Sequence, residues 1–409
     1  MKKFTHWSPL HFLASLGAGG IVVSFFMYLL FWLPHPNQPI PVFNDWFTYI
    51  QTANLSGQIM VFTALAGIIS FGWLHFRWLF LNFVQYQQFK AEGGVNKIIG
   101  SNAHTQLMAI PLTIAMSINV SFIIAAVFIP NLWSIIEWLF PFSILLFVIL
   151  GISASRTYLN FFSHVLHHGS FDNTANNSLA QLLPSFAFVM IGVGFSAPAA
   201  MSHNEIVIGI SYLLSTFFIT GALFMGLIKL IIGFSDMFKE GASRSSLPTL
   251  WVVIPILTIT GIAMMRLSHG LHTLDLGHGA SNYVLLIIIF SLQIMFALMG
   301  WAVMKRMNYF QAVLKHEETS PVTFALICPG VSLVVMGHFV LNKVIVASGI
   351  ISKFSVFYMG FSFLLIVLQL ITVWLLLRLV RDHLDIHKQE SETFLVNTIT
   401  QYFKSLSHS

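Results

Sequence analysis

The segment from Met264 to Asn282, MMRLSHGLHTLDLGHGASN, concentrates side chains that could do chemistry inside an otherwise apolar chain. Arg266 and His269 are three residues apart, so they share one face of a helix. A guanidinium at membrane depth attracts an oxyanion and can bind it through two parallel hydrogen bonds. The sequence therefore predicts an electropositive vestibule for an anion, formed by Arg266, His269, His338 and His203.

Two other interpretations of the same residues stay open. Arginine and histidine at the end of a span also hydrogen-bond to lipid headgroups at the membrane interface. The spacing of His269, His272, Asp275 and His278 is also compatible with a transition-metal site, because imidazole and carboxylate are common ligands. A third interpretation is haem binding, which needs two histidines at matched depth on neighbouring helices. His164 or His168 would be one histidine of such a pair.

A second stretch, ICPG at 327–330, places the only cysteine of the chain beside Pro329. One thiol excludes an internal disulfide, and its characteristic chemistry is redox and metal binding. A membrane redox, metal-binding or haem-binding protein that uses Cys328 with histidines and methionines is therefore the alternative to an anion transporter. Simple packing of a small apolar side chain is the third interpretation.

Composition fixes the class of protein that must position these residues. Hydrophobic residues make up 56% of the 409 residues and charged residues 8%, against roughly 25% charged in soluble domains. Runs of about twenty apolar residues predict an all-α polytopic membrane protein with ten spans. The predicted spans are 10–33, 57–88, 104–129, 138–165, 178–202, 204–238, 248–270, 282–312, 321–342 and 355–385.

Loop charge predicts the orientation of these spans. With the N-terminus inside, all of the 19 basic residues except Arg266, Lys343 and Lys353 fall at or beyond the inner ends of spans. We therefore expect both termini in the cytoplasm, with the protein in a cell membrane, most simply a bacterial inner membrane. The net charge of +5 is explained by this asymmetry, so no nucleic-acid partner is expected.

A proline repeat predicts the architecture. Pro111, Pro184, Pro255 and Pro329 are 71 to 74 residues apart, each about seven residues into an odd-numbered span, and Ser15–Gly20 occupies a similar depth in the first span. Interrupted backbone at membrane depth is tolerated only where protein buries it or a water-filled cavity adjoins it. The pattern predicts five tandem hairpins, with kinked odd helices in a quasi-fivefold ring around a central path and even helices facing lipid. Asn119 and Ser332 join Cys328 and the prolines as predicted path residues.

Ten spans in five hairpins with interrupted odd helices resemble the tellurite-resistance/dicarboxylate transporter family, which includes TehA-type bacterial channels and plant slow anion channels. The stretch SPLHFLASLGAGG is similar to that family's Phe-Gly-x-Pro-x-Gly start and keeps Phe12, Leu16 and Gly17. Where these channels carry Thr-Phe-Pro, with the phenylalanine plugging the pore, this chain has Ile327-Cys328-Pro329. Cysteine there resembles the TsoY-like branch, whose members carry cysteine or selenocysteine. The resemblance implies a small-anion pore and a homotrimer.

We therefore expect a transporter or channel for a small inorganic or organic anion, with a path lined by helices 1, 3, 5, 7 and 9. No phosphate-binding loop, acid/base pair or Ser-His-Asp pattern occurs, so no enzyme activity and no resident cofactor are expected. Residues 1–388 are predicted to form the transmembrane domain. Residues 389–409 are predicted to form a cytoplasmic tail, either an amphipathic helix on the inner surface or a flexible segment.

Overall fold

The structure is a computed structural model that describes residues 7–36, 38–168, 177–273, 282–315, 317 and 320–406, with side chains as far as His383. In this part of the chain, ten helices are long and apolar enough to cross a membrane, which confirms the predicted all-α polytopic fold. They are α1 (Pro9–Trp32), α2 (Leu55–Ala91), α3 (Asn102–Phe128), α4 (Leu132–His168), α5 (Ala180–Met201), α6 (Glu205–Glu240), α7 (Arg244–Thr273), α8 (Tyr283–Arg306), α9 (Pro321–Val346) and α10 (Val356–His383).

The odd-numbered helices form an inner ring. α1 contacts α3, α3 contacts α5, α5 contacts α7, α7 contacts α9, and α9 returns to α1. In α1, α5, α7 and α9, 72 to 94% of the most apolar window is buried, against 22 to 39% in the even-numbered helices. α3 is intermediate at 44%. Each even helix packs against the odd helix that precedes it, so the five hairpins close into a ring with the even helices outside.

The outer surface of the ring suits a bilayer. Large apolar side chains of the even helices are exposed, among them Phe62 and Trp73 of α2 and Phe217 and Phe224 of α6. In water such a surface would be an aggregation site, whereas in lipid it is the expected face of a span.

The repeated prolines lie where two kinds of helix join. Each of α3, α5, α7 and α9 begins with a 3₁₀ segment and then becomes α-helical. Pro111, Pro184, Pro255 and Pro329 are the second or third residues of those α-helical segments. Proline has no backbone N–H. In the first turn of an α-helical segment the N–H groups have no acceptor four residues earlier in that segment, so a proline there removes no helical hydrogen bond and is little destabilising. This is why proline is tolerated beside Cys328.

The first helix departs from the predicted pattern. Its 3₁₀ segment is Pro9–His11, and it is α-helical from Phe12 to Trp32, so Ser15–Gly20 is not a break. The small residues serve close packing instead. A Cβ on Gly17 would lie 2.9 Å from Ile327 Cγ2, and one on Gly19 would lie 2.6 Å from Met116 Cγ.

Polar side chains fix several helix starts. Asn54 accepts a hydrogen bond from the N–H of Gly57 at 2.9 Å at the start of α2. Asn204 accepts from Ile206 and Val207 at 3.0 and 3.2 Å at the start of α6. These caps satisfy N–H groups that would otherwise lack partners.

The chain after α10 stays helical. The α-helix that begins at Val356 runs to Leu406, so no interruption marks the predicted domain boundary at residue 388. The placement of the tail at a membrane surface stays a prediction.

Candidate functional site

A cavity of about 200 Å³ lies inside the ring and is the candidate functional site. All five odd helices line it, and the outer helix α4 adds Phe140, Ser143 and Phe147. Its aromatic wall consists of Phe26, Phe122, Phe140, Phe147, Phe186 and Phe339.

Helical periodicity explains which residues reach the cavity. On α7 the lining residues are Pro255, Thr258, Ile259, Ile262 and Arg266, and on α9 they are Cys328, Val331, Ser332, Val335 and Phe339. Steps of three and four residues keep one stripe of a helix on the same side. The C-terminal part of each odd helix therefore presents one face inward.

The cavity ends at the level of the prolines. Its first lining residues on α7 and α9 are Pro255 and Cys328. The residues just before them, Ile254 and Ile327, are wholly buried. The structure therefore has the inner ring packed shut on the N-terminal side of Cys328, with open space on the C-terminal side.

Arg266 is the positively charged residue among the described residues that line the cavity. Its Nη1 donates a hydrogen bond to the backbone carbonyl of Val193 at 3.3 Å, which ties α7 to α5. Among the described residues it makes no other hydrogen bond and no salt bridge, and no carboxylate lines the cavity. A guanidinium has five N–H donors, so most of them stay available to a ligand.

Neutral polar groups add a few further contacts. The amide nitrogen of Asn119 donates to the carbonyl of Ala115 at 3.1 Å and approaches the sulfur of Met190 at 3.8 Å. Ser332 also lines the cavity, and its hydroxyl makes no hydrogen bond to another described residue. The predicted path residues Asn119 and Ser332 thus both border the cavity.

Cys328 lines the closed end of the cavity. The structure describes all four residues that precede the repeated prolines, and Cys328 is the only one of the four that lines the cavity. Leu183 and Ile254, which precede Pro184 and Pro255, are buried in the packing of the helices. Pro255 lines the cavity as well, whereas Pro111, Pro184 and Pro329 do not.

The histidines of the predicted vestibule are not gathered around Arg266. His269 and His272 are exposed near the end of α7. His203 is exposed, and its Nδ1 lies within hydrogen-bond distance of Glu137, 3.0 Å from Oε1. Asp275 and His278 lie outside the described residues.

His338 has a different environment. It is wholly buried, its ring meets Tyr28 edge-on at 5.5 Å between centroids, and it stacks on Phe31 at 6.2 Å. Neither ring nitrogen has a hydrogen-bond partner among the described residues. His338 therefore belongs to the packing between α1 and α9 rather than to the cavity wall.

His75 supports the wall from behind, a role that sequence patterns did not indicate. It lies on the outer helix α2 and is wholly buried. Its Nδ1 donates to the carbonyl of Ser15 at 2.7 Å, and its Nε2 lies 2.8 Å from the hydroxyl of Ser117. One imidazole thereby joins α1, α2 and α3 next to the lining residues Leu16 and Met116.

Within the described ranges, no group of three His, Cys, Asp or Glu side chains comes together in a way that could hold a metal ion. The predicted metal ligands on the 274–281 segment lie outside those ranges, so the metal site stays a prediction.

Comparison with known proteins adds no family assignment. No protein-family model matches the chain, and no curated protein is significantly similar to it. What the site can do must therefore be inferred from its geometry: an apolar chamber inside a membrane, with one arginine whose charge no described carboxylate neutralises.

Proposed function

We propose that the protein is an integral membrane transporter or channel that moves a small anion along the axis of the inner ring, lined by α1, α3, α5, α7 and α9. One observation carries this proposal. Arg266 lines the cavity, and among the described residues it makes a single hydrogen bond, to Val193, and has no carboxylate beside it in the lining. An arginine at membrane depth is costly and is typically retained for a function.

The position of the cavity supports transport rather than a closed binding site. The cavity lies between parallel inner helices and reaches from Cys328 to Arg266 and Phe339. Ionisable residues that face the interior of a helix bundle commonly mark substrate or ion pathways. The first lining residues on α7 and α9, Pro255 and Cys328, follow directly on the change from 3₁₀ to α geometry in those helices.

We also propose a relationship to the tellurite-resistance/dicarboxylate transporters. The support is architectural: five hairpins, a closed inner ring and a proline near the same depth in four inner helices. In this proposal Cys328, at the closed end of the cavity, corresponds to the phenylalanine plug of those channels, and the proposal includes a trimeric assembly.

Anion flux into proteoliposomes tests the proposal. We expect the purified protein to carry a radiolabelled or fluorescently reported anion, and we expect Arg266→Gln to reduce that flux at least tenfold. Lys353→Gln is the matched control, because Lys353 is exposed in the loop before α10, where its Nζ lies 5.1 Å from the centroid of the Phe354 ring, and it does not line the cavity. Equal flux through the wild type and Arg266→Gln would contradict the proposal.

A further inference from the structure

Among the described residues that line the cavity, one is positively charged and none is negatively charged. Arg266 supplies the cation, and every other lining residue is neutral or apolar. A ligand with one negative charge balances this site. A dianion would leave one charge unpaired in an apolar chamber, which is costly at low dielectric.

The walls favour a ligand with an apolar body. Besides the six phenylalanines, four methionines line the cavity: Met27, Met116, Met190 and Met201. Hydrogen-bond donors are few: beyond Arg266 the lining has Asn119, Ser143, Thr258 and Ser332, and the Ser143 hydroxyl already donates to the carbonyl of Phe140 at 2.9 Å. Thr258 is already engaged, because its hydroxyl donates to Ile254 at 3.2 Å and accepts from Gln293. A small, strongly hydrated anion would lose more water contacts here than the protein returns.

The volume of the cavity limits the size of the apolar part of the ligand. A dry protein cavity of roughly 150 Å³ binds benzene. The cavity here, at about 200 Å³, has room for a six-membered ring together with one anionic group. Aromatic rings and methionine sulfur also pack favourably against an aromatic ligand.

We propose that the cavity selects monovalent organic anions, with the anionic group on Arg266 and an apolar body of about six carbons among the phenylalanines. This inference rests on the proposed function and narrows its substrate class. The guanidinium binds one carboxylate or sulfonate group through paired hydrogen bonds. The ring of the ligand fills the space towards Cys328, where α7 and α9 close.

Benzenesulfonate is the probe, because it carries a permanent single charge and so does not cross lipid as a neutral acid. Binding to the purified full-length protein is measured by calorimetry, and flux is measured in proteoliposomes, each against chloride and 1,3-benzenedisulfonate. We expect benzenesulfonate to bind at least tenfold more tightly than either competitor. Arg266→Gln should abolish this preference, and Arg266→Lys should keep part of it.

A cavity-filling variant separates the role of the walls from that of the charge. Ile262 lines the cavity one turn before Arg266. Ile262→Trp should weaken benzenesulfonate binding at least tenfold, whereas Ile262→Leu, which keeps the volume of the side chain, should leave that binding within about twofold. Size-exclusion chromatography checks that each variant stays folded, and Lys353→Gln should behave as wild type.

The outcomes distinguish this inference from the proposed function. Arg266-dependent flux of chloride without binding of benzenesulfonate would overturn the substrate class and leave anion transport standing. Equal binding of the disulfonate would overturn the charge argument. If no anion binds or moves, both proposals fail.

Discussion

Nη1 of Arg266 donates a hydrogen bond to the backbone oxygen of Val193 at 3.3 Å, and this contact joins α7 to α5 across the wall of the cavity. A backbone carbonyl orients the guanidinium without neutralising it. The positive charge therefore stays available to a ligand. A partly buried cation that no described carboxylate neutralises is unfavourable for the stability of the protein.

Removing this charge should stabilise the protein while it abolishes anion binding. We expect Arg266→Leu to raise the free energy of unfolding by about 1–3 kcal/mol, because arginine in a span is disfavoured by that order. Thermal unfolding in detergent measures the change in stability, and flux assays measure the loss of anion transport. A clear fall in the melting temperature would show that Arg266 is a structural residue.

His75 should be needed for stability rather than for selectivity. Its two ring nitrogens meet Ser15 and Ser117 at 2.7 and 2.8 Å inside the protein. We expect His75→Leu to cost about 2 kcal/mol or more, because buried polar partners lose their hydrogen bonds. His269→Leu, at an exposed position, is the control and should change the melting temperature little.

Gly19 should not tolerate a side chain. A Cβ there would lie 2.6 Å from Met116 Cγ and 2.8 Å from His75 Nδ1. We expect Gly19→Ala to destabilise the protein by about 1–3 kcal/mol through overpacking. Gly209→Ala is the matched helical control, because nothing lies within 4 Å of its added Cβ. That variant should be neutral or gain about 0.5–1 kcal/mol from helix propensity. Equal melting temperatures for the two variants would refute the close packing of α1.

Cys328 should control the closed end of the cavity through its size. We expect Cys328→Phe to reduce anion flux strongly without unfolding the protein, because the ring fills space beside Pro255 and Ser332. Cys328→Ala should leave a transporter active and would abolish a redox or metal function, since only the thiol is lost.

Labelling offers an independent measurement of the same residue. Cys328 is the only cysteine, so any thiol label reports on it alone. We expect a small maleimide to react slowly and a permeant anion to slow the reaction further. Labelling that anions never affect would separate Cys328 from the path. Copurifying metal that is lost in Cys328→Ala would favour the redox or metal alternative.

The orientation is open to a direct test. An even number of spans, such as the ten in the described part, places both ends of the chain on one side, and the distribution of lysine and arginine predicts the cytoplasm. A reporter enzyme that is active only in the cytoplasm should be active when it is fused after Ser409, and a reporter that is active only outside the cytoplasm should be inactive there. A reporter that reads as external would overturn the predicted orientation.

The sequence by itself determined the ten helices and the division into inner and outer sets. Span length and hydrophobicity are local properties, and the proline period at Pro111, Pro184, Pro255 and Pro329 marks four of the five inner helices directly. These features needed no tertiary information because backbone hydrogen bonding in lipid forces each apolar run to be helical.

The tertiary structure decided which polar residue meets the cavity. Arg266 and His338 look alike in sequence, as ionisable residues within predicted spans, yet Arg266 lines the cavity and His338 packs on Tyr28 and Phe31. Likewise, Phe147 reaches the cavity from an outer helix, and His75 supports α1 and α3 from α2. The physical reason is that the rotation of each helix about its axis follows from side-chain packing with its neighbours, and hydrophobicity on all faces leaves that rotation unspecified.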